Sequence, residues 1–277
     1  MDIVADELFD KENTQEYLLS IQISLGGFSF IVASAKENRL LAWKNTPLTI
    51  TSVQFLQKRF QEWLDMEEIL KQQYQKVHLI FDTKEFVPVP EKYYEEQESK
   101  KLVESVFELS SSEFEIAENQ VNVHDLRLLF TLPKGLKGYL SEQFPDLEIF
   151  HPLTICIENL PEISADRNGL IILFSSGYFY LVLFREQKLL LANSYNLSHK
   201  NDIIFYTLST TKQYHFNPTK TDVFIAGDIY GGEETILEIK EYFTSTQLLK
   251  PAKDIEINTE IFNTQEYSLY NLQNSVL

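Results

Sequence analysis

The stretch that decides the fold runs from residue 169 to residue 232 and begins GLIILFSSGYFYLVLFREQKLLLANSYNL (169–197). Short polar breaks separate three runs of aliphatic and aromatic residues, which lie at 170–174, 178–184 and 189–195. Such runs divided by turn residues predict a meander of antiparallel strands. A helix-length segment (200–214) and a fourth apolar run (223–226) follow. The predicted order is therefore β-β-β-α-β.

The same order of elements occurs once more, earlier in the chain. Its apolar runs, with a helix-length segment before the last, lie at 17–24, 28–33, 40–43 and 77–81. Superposing Gly27 on Gly177 aligns Phe28 with Tyr178 and needs no gap across the meander. Because an internal repeat determines architecture more strongly than a short motif, we predict two duplicated halves. The alternative is that two similar hairpins arose by chance from common strand residues. The recurrence of the helix and the fourth strand favours duplication.

The composition is that of a globular protein. The chain has 277 residues, enough for two moderate domains with a core, and its 44% hydrophobic content argues against disorder. Its net charge of −17 repels phosphate backbones and anionic membrane surfaces, so we expect no nucleic-acid partner. Simple solubility is the other explanation for so acidic a chain.

The single cysteine, Cys156, excludes an intramolecular disulfide and fits a reducing compartment, so we expect a cytoplasmic protein. The N-terminal sequence MDIVADELFDKEN (1–13) is acidic and lacks an apolar centre, so it predicts neither a signal peptide nor a membrane span. No other run approaches the roughly 20 apolar residues that cross a bilayer, and we expect no direct membrane insertion.

The chain divides into three predicted parts. Residues 1–16 form an acidic tail that we expect to be mobile, residues 17–160 form the first half, and residues 161–277 form the second. The residue composition changes at Lys84, where prolines and a run of charged residues begin. Residues 84–150 are predicted to form an α+β insertion in the first half. The polar end beyond residue 254 is expected to pack loosely.

The long helix of the first half is predicted to begin after a capping box at 51–54. Four apolar side chains then fall on one helical face: Leu56, Phe60, Trp63 and Leu64. Because such a face covers a sheet, we interpret Trp63 as a core residue. The alternative is an aromatic ring on which a ligand stacks.

Two β-β-β-α-β units with an insertion in the first resemble the actin, hexokinase and heat-shock chaperone ATPase superfamily, whose halves are ribonuclease-H-like. The stretch SSGYFYLVLFREQKLLLANSYNL (175–197) has a glycine turn, a strand, a polar turn and a further strand. This order resembles that of the bacterial branch that contains pilus-assembly and cell-division actin-like proteins. The stretch HDLRLLFTLPKGLKGYLSEQFPDLEIFHPL (124–153) resembles the insertion of a bacterial family of unknown function in this superfamily. The resemblance covers residues 17–251 and implies an α/β fold of two duplicated halves.

The resemblance also implies where catalytic residues would stand. In a working member, an acidic residue ends the first strand of each half and holds the hydrated magnesium ion or the attacking water, and turn amides hold phosphates. Here the two turns, 23–27 and 173–177, read ISLGG and LFSSG and contain neither Asp nor Glu. Metal-assisted phosphoryl transfer then has no evident anchor, so we predict no metal site and no catalysis. The glycines of these turns are by themselves weak support for a phosphate-binding site, because tight turns between strands need glycine in any case.

A glycine-bearing turn follows the fourth strand of the second half, where the superfamily contacts adenosine. The candidate nucleotide-binding residues are Gly227, Asp228, Gly231 and Gly232. The alternative is a loop that merely joins strand to helix. Asp82 stands at the matching place in the first half and is either a remaining acidic group of the site or a turn or helix cap.

Other chemistry is not supported by the sequence. The five histidines are scattered without metal-ligand spacing, and there is no P-loop, GxSxG or CxxC motif. Cys156 lies in an apolar segment, which predicts an inert buried thiol rather than a nucleophile.

The sequence therefore predicts a non-catalytic cytoplasmic protein of the actin-like fold, without a cofactor. It would act as a binding or assembly module for a protein partner, through the insertion at 84–150 or the cleft between the halves. The first alternative is a nucleotide-binding protein or weak phosphotransferase that uses ATP and magnesium in that cleft. The second is an unrelated α+β interaction domain. Aromatic bulk at Phe28 and Tyr178, beside the turns, leads us to expect that side chains fill the cleft.

Overall fold

A computed structural model of the chain describes residues 3–107, 109, 112–249, 255–258, 261–262 and 269–275. The strands in this part of the chain are β1 (Val4–Ala5), β2 (Leu18–Ser24), β3 (Gly27–Ser34), β4 (Arg39–Pro47), β5 (Lys76–Phe81), β6 (Phe86–Pro90), β7 (Phe114–Val121), β8 (Leu126–Pro133), β9 (Leu147–Phe150), β10 (Asn168–Ser175), β11 (Tyr178–Arg185), β12 (Lys188–Asn196), β13 (Thr221–Gly227) and β14 (Ser245–Leu248). The helices are α1 (Val53–Met66), α2 (Glu96–Phe107), α3 (Leu136–Gln143), α4 (Pro152–Glu158), α5 (Lys200–Gln213), α6 (Glu233–Tyr242) and α7 (Tyr270–Ser275).

These elements form a mixed α/β fold with three sheets. The first sheet has the order β1-β4-β3-β2-β5-β9, and the second has the order β12-β11-β10-β13-β14. In each, a three-strand antiparallel meander is continued by strands parallel to its first member. The third sheet, β6-β8-β7, is antiparallel and is made by the segment between β5 and β9. The predicted strands of both meanders are confirmed.

β11 is buried on both faces, as its continuous apolar sequence predicts. Its odd-numbered residues, such as Phe179 and Leu181, belong to a core with α5 and α6. Its even-numbered residues, such as Tyr180 and Val182, belong to a second core that contains residues of the first and third sheets. The second sheet is therefore held from both sides, and its inner face carries the side chains that meet the first sheet.

The helix α1 covers the first sheet as the sequence indicates. Ser52 caps it by accepting a hydrogen bond from the Gln54 N–H at 3.2 Å. Trp63 is 1% exposed, packs against Phe28, and donates from Nε1 to Thr46 Oγ1 at 3.0 Å. This position confirms that Trp63 is a core residue and not a ring for ligand stacking.

The prediction of a mobile acidic tail is wrong for residues 3–16. Strand β1 pairs antiparallel with β4, where Val4 lies opposite Trp43. Asp6 is 3% exposed, and its carboxylate lies 3.0 Å from the Arg39 guanidinium. The packing of this segment could not be recognised from its acidic sequence, because a two-residue strand and one ion pair produce no hydrophobic periodicity.

The expectation of a loosely packed end beyond residue 254 is also wrong for the described residues there. Phe262, Leu269 and Leu272 are buried in a core with Ile31 and Ile80 of the first sheet. The end of the chain thus returns from the second sheet to the first. In the same way β9, predicted within the 84–150 insertion, pairs with β5 and belongs to the first sheet.

Replacing Trp63 with alanine tests the packing of α1 on the first sheet. Trp63→Ala removes a fully buried ring and its hydrogen bond, so we expect a loss of about 3–5 kcal/mol in the free energy of unfolding. Phe55→Ala, on the exposed side of the same helix, is the control and should cost no more than about 0.5 kcal/mol. Urea unfolding measures both; equal effects of the two substitutions would contradict this packing.

Candidate functional site

The candidate site is a cleft between the first and second sheets. It is formed by the β2–β3 and β10–β11 turns and by the ends of β5 and β13, and it encloses a cavity of about 250 Å³. The cavity is lined by Gln22, Ser24, Gly26, Gly27, Ser29, Trp43, Asn45, Pro47, Asp82, Phe174, Ser175, Ser176, Gly227, Asp228, Leu269, Asn271 and Leu272. Both turns that the sequence singled out therefore face one another across this cleft.

The two turns are in direct contact. A Cβ atom placed on Gly26 would lie 2.5 Å from Ser176 Cβ, closer than real Cβ contacts allow. The Ser24 hydroxyl accepts from the Gly26 N–H at 3.1 Å, which uses one of the turn amides inside its own turn. Gly27 has φ of +131°, so a glycine is required there by the backbone itself. The contact leaves no gap between the turns at this point.

Asp82 joins the two sheets. It follows β5 and is 7% exposed, and each of its carboxylate oxygens is a hydrogen-bond acceptor. Oδ2 accepts from Ser175 Oγ at 2.6 Å, and Oδ1 accepts from the hydroxyls of Tyr178 and Tyr180 at 2.7 Å each. All three donors belong to the β10–β11 hairpin of the second sheet. The side chain is thus neither a turn cap nor a helix cap, because it bonds across the cleft.

Burial controls the ionisation of this cluster. Removal from water raises the pKa of the Asp82 carboxyl, and the three hydroxyl hydrogen bonds, which favour the charged form, oppose that rise. Burial, reinforced by the Asp82 carboxylate, raises the pKa of the Tyr178 and Tyr180 phenols well above the usual value, so both remain O–H donors.

His151 packs against the Asp82 cluster, and the sequence analysis did not identify it as a site residue. Burial lowers its pKa to about 3, so the imidazole is neutral. Nδ1 accepts from the Leu153 N–H at 3.1 Å, which places the ring proton on Nε2, 2.8 Å from the Thr83 carbonyl oxygen. Its ring packs against Tyr180. The one available signal was its position before Pro152, where a polar side chain caps a helix that begins with proline.

The four candidate nucleotide-binding residues are not brought together. Gly227 and Asp228 line the cleft cavity, and Gly227 is packed so that a Cβ would lie 2.2 Å from the Phe174 carbonyl oxygen. Gly231 and Gly232 lead into α6 instead, and Gly232 faces a separate groove between α6 and β14. The geometry leaves Gly227 and Asp228 as candidates in the cleft.

The cleft is filled partly by residues near the C-terminal end of the described chain, which the sequence analysis did not expect. Phe28 points away from it and packs against Phe60 and Trp63, so its predicted role as a filler is wrong, whereas Tyr178 reaches Asp82. The helix α7 enters instead: Ser275 Oγ lies 2.6 Å from Ser20 Oγ of β2. Leu269, Asn271 and Leu272 line the cavity beside it. The polar sequence of this segment gave no sign of its burial.

Other candidate chemistry is limited in the part of the chain that is described. It contains no cluster of three or more His, Cys, Asp or Glu side chains that could hold a metal ion. Cys156 is buried, and burial raises the pKa of its thiol to about 12, as expected for an inert cysteine. None of the described helices is long and apolar enough to cross a membrane.

Comparison with known proteins identifies the fold as that of the actin-like ATPases. The crystal structure of a Bacteroides thetaiotaomicron protein with actin-like ATPase fold and unknown function is 21% identical, with a TM-score of 0.78 over 90% of this chain and 96% of that one. The PilM–PilN type IV pilus biogenesis complex is 12% identical, with a TM-score of 0.55 over 94% and 97%. No curated protein matches the sequence. The chain belongs to the family described as protein of unknown function (DUF3822), whose model matches residues 6–245.

Replacing Asp82 with alanine tests its role between the sheets. Asp82→Ala removes the acceptor of the buried Ser175 and Tyr178 hydroxyls, whereas the Tyr180 hydroxyl keeps the Thr83 carbonyl oxygen at 2.8 Å. We expect the substitution to lower the free energy of unfolding by about 3 kcal/mol. Ser176→Ala, an exposed hydroxyl in the same cleft, should change it by no more than about 0.5 kcal/mol. Chemical denaturation measures both; an unchanged stability of Asp82→Ala would contradict the proposed link between the sheets.

Asp82→Asn tests the raised pKa. The folded protein holds the Asp82 proton more tightly than the unfolded chain, so the associated stability is present below about pH 4 and is lost as pH rises through the folded-state pKa. Asparagine keeps an acceptor but does not titrate. We therefore expect the stability of the native chain, relative to Asp82→Asn, to fall in urea unfolding as the pH rises above about 4, the ordinary pKa of an aspartate. A pH-independent difference would show that the pKa is not raised.

Proposed function

We propose that this protein is a non-catalytic member of the actin-like fold that acts as a cytoplasmic binding or assembly module. The observation that carries the proposal is the use of Asp82, a cleft carboxylate, as the acceptor of three hydroxyl hydrogen bonds between the sheets. A carboxylate that is buried and engaged in this way links the two sheets. Protein hydroxyls occupy three of its roughly four acceptor positions, which leaves little capacity to receive a metal-bound water or to direct an attacking one.

The matched strand orders support the finer architecture that we infer, two duplicated ribonuclease-H-like halves with an insertion in the first. In both large sheets, the last strand of the meander, β4 or β12, is separated from the first, β2 or β10, by the middle strand. The strand after the crossover helix, β5 or β13, pairs parallel with that first strand. A third sheet then stands where the insertion is expected, between β5 and β9.

The cleft itself argues for a non-catalytic role. At the ends of β2 and β10, where the superfamily resemblance implies acidic residues, the chain has Ser24 and Ser175. The cavity of about 250 Å³ is smaller than the roughly 300–1,000 Å³ of most small-molecule sites. A nucleotide with its phosphates would require the turns at Gly26 and Ser176 to separate and α7 to move.

The insertion is the partner surface that we favour. PilM, which shares this fold, is found in a complex with PilN. In the present chain a groove of about 660 Å³ lies at the insertion and is bounded by α2, β7, α3 and β9. Its size falls within the range of binding sites, whereas that of the cleft does not. The single, buried cysteine is consistent with the cytoplasmic location that we infer.

Nucleotide binding is the second candidate function. It is favoured by one observation: Gly227 and Asp228 lie on the same cavity as the turns at Gly26 and Ser176. Binding there would couple to opening of the cleft, so it would be weakened by every contact that holds α7 and Asp82 in place.

A thermal-shift titration with ATP, ADP and GTP, each with and without magnesium, separates the two functions. We expect no change in melting temperature, because the closed cleft offers no nucleotide site. A nucleotide at 100 times its dissociation constant would stabilise the fold by roughly 2.7 kcal/mol, which such a titration detects. A saturable shift that is lost in Asp228→Ala would overturn the non-catalytic proposal in favour of the second candidate.

A further inference from the structure

Strand β7 has an open edge. In the third sheet it pairs with β8 on one side, and no strand of the described chain pairs with it on the other. β7 is eight residues long and contains neither proline nor glycine. The opposite edge of the same sheet, β6, carries Pro88 and Pro90, and proline is a common protection of exposed edges. The sheet is therefore protected on one edge and open on the other.

The backbone groups on this open edge can be assigned. Lys134 N donates to Glu113 O, at the point where β7 and β8 begin to pair. Alternate residues of an antiparallel strand bond to the neighbour, so the odd-numbered residues of β7 face β8 and Phe114 and Ile116 direct their N–H and C=O groups outward. Further along, the Asn119 amide nitrogen donates to the Ile149 carbonyl oxygen at 2.7 Å and bridges β7 to β9.

The outward groups face the groove of about 660 Å³ described above. The groove is bounded by α2 on one side and by α3 and β9 on the other. Its apolar lining comes from Phe114, Ile116, Ala117, Leu147 and Ile149. A groove with apolar walls and a row of outward-facing peptide groups has the properties of a vacant strand position.

The groove is richer in lysine than the acidic protein as a whole, with three lysines and three glutamates in its lining. Lys100, Lys134 and Lys137 line it, and none of them has an ion-pair partner among the described residues. Of the three glutamates that also line it, Glu118 is paired with Arg127 at 2.8 Å and Glu115 accepts from the Lys137 backbone N–H. Glu96 and Glu115 remain beside the three lysines, so the lining has an excess of one positive charge in a chain of net charge −17.

We infer that the open edge of β7 binds an extended, acidic segment of a partner protein, which adds a fourth strand to the β6-β8-β7 sheet. Its backbone pairs with Phe114 and Ile116, alternate apolar side chains rest on Leu147 and Ile149, and its carboxylates meet the three lysines. The inference rests on the proposed function as a binding module and names the kind of partner that this surface fits.

The test uses the full chain and a phage-displayed library of random dodecapeptides as the probe. Selected peptides are synthesised with a fluorescent label, and dissociation constants are measured by anisotropy. We expect sequences in which apolar residues alternate with Asp or Glu. Ile116→Pro removes an outward N–H but no bond to β8, and we expect it to weaken binding by about tenfold or more. Ile116→Val, which retains the N–H, is the matched control.

Charge is tested separately, with surface substitutions that leave the strand intact. The triple variant Lys100→Glu, Lys134→Glu and Lys137→Glu should also lose about tenfold or more in affinity. The control makes the same charge change in the second half, at Lys212, Lys220 and Lys240, and should bind as the native chain does. Amide hydrogen exchange at Phe114 and Ile116 should slow when the peptide is bound, which a loosely docked peptide would not cause.

Three results would overturn the inference. They are selection of basic peptides, equal affinity for the native chain and Ile116→Pro, and dimerisation of the chain itself that Ile116→Pro abolishes. If selected peptides bind elsewhere on the insertion, such as the exposed Val106 side of α2, the inference fails while the proposed function stands. A saturable change in melting temperature with nucleotide would instead overturn the proposed function. The failure of the inference and the failure of the proposed function are therefore distinguishable.

Discussion

The arrangement of the two large sheets depends on one buried carboxylate. Asp82 comes from the first sheet, and its three donors, Ser175, Tyr178 and Tyr180, come from the second. A carboxylate or a phenol left without a partner at this depth is costly, so donors and acceptor satisfy one another only when the sheets stand at this separation. The contact between Gly26 and Ser176 and the small volume of the cleft follow from that separation.

Because the cleft is closed by these contacts, the candidate binding surfaces lie outside it. The interior is occupied by hydroxyls, by the neutral imidazole of His151 and by α7, all of which bond or pack within the chain. The third sheet packs on this cluster through Phe86 and Phe130, but no described strand pairs with the outer edge of its strand β7. Three lysines without an ion-pair partner among the described residues line the groove beside that edge. On the function that we propose, the two-sheet frame of an actin-like fold is retained and the partner binds at the third sheet.

Much of the frame, but less of the site, could be predicted from the sequence. Strands such as β10 and β11 were predictable because continuous apolar runs between turn residues leave few alternatives. Asp82 was noticed, but its role was not, since its partners lie more than 90 residues away. The burial of α7 was missed because its polar side chains lack hydrophobic periodicity, and the N-terminal strand β1 was missed because two residues carry no pattern.

The sequence by itself determined the strands of the two meanders, their order and the class of fold, because local periodicity and turn chemistry act between neighbours along the chain. It also determined that serine, and not an acid, ends β2 and β10. Only the tertiary structure decided what the cleft contains, which glycines reach it, and which strand edge is left open. Those properties depend on how separate sheets meet, and that is set by contacts between residues that are distant in sequence, such as Asp82 with Tyr180 and Ser20 with Ser275.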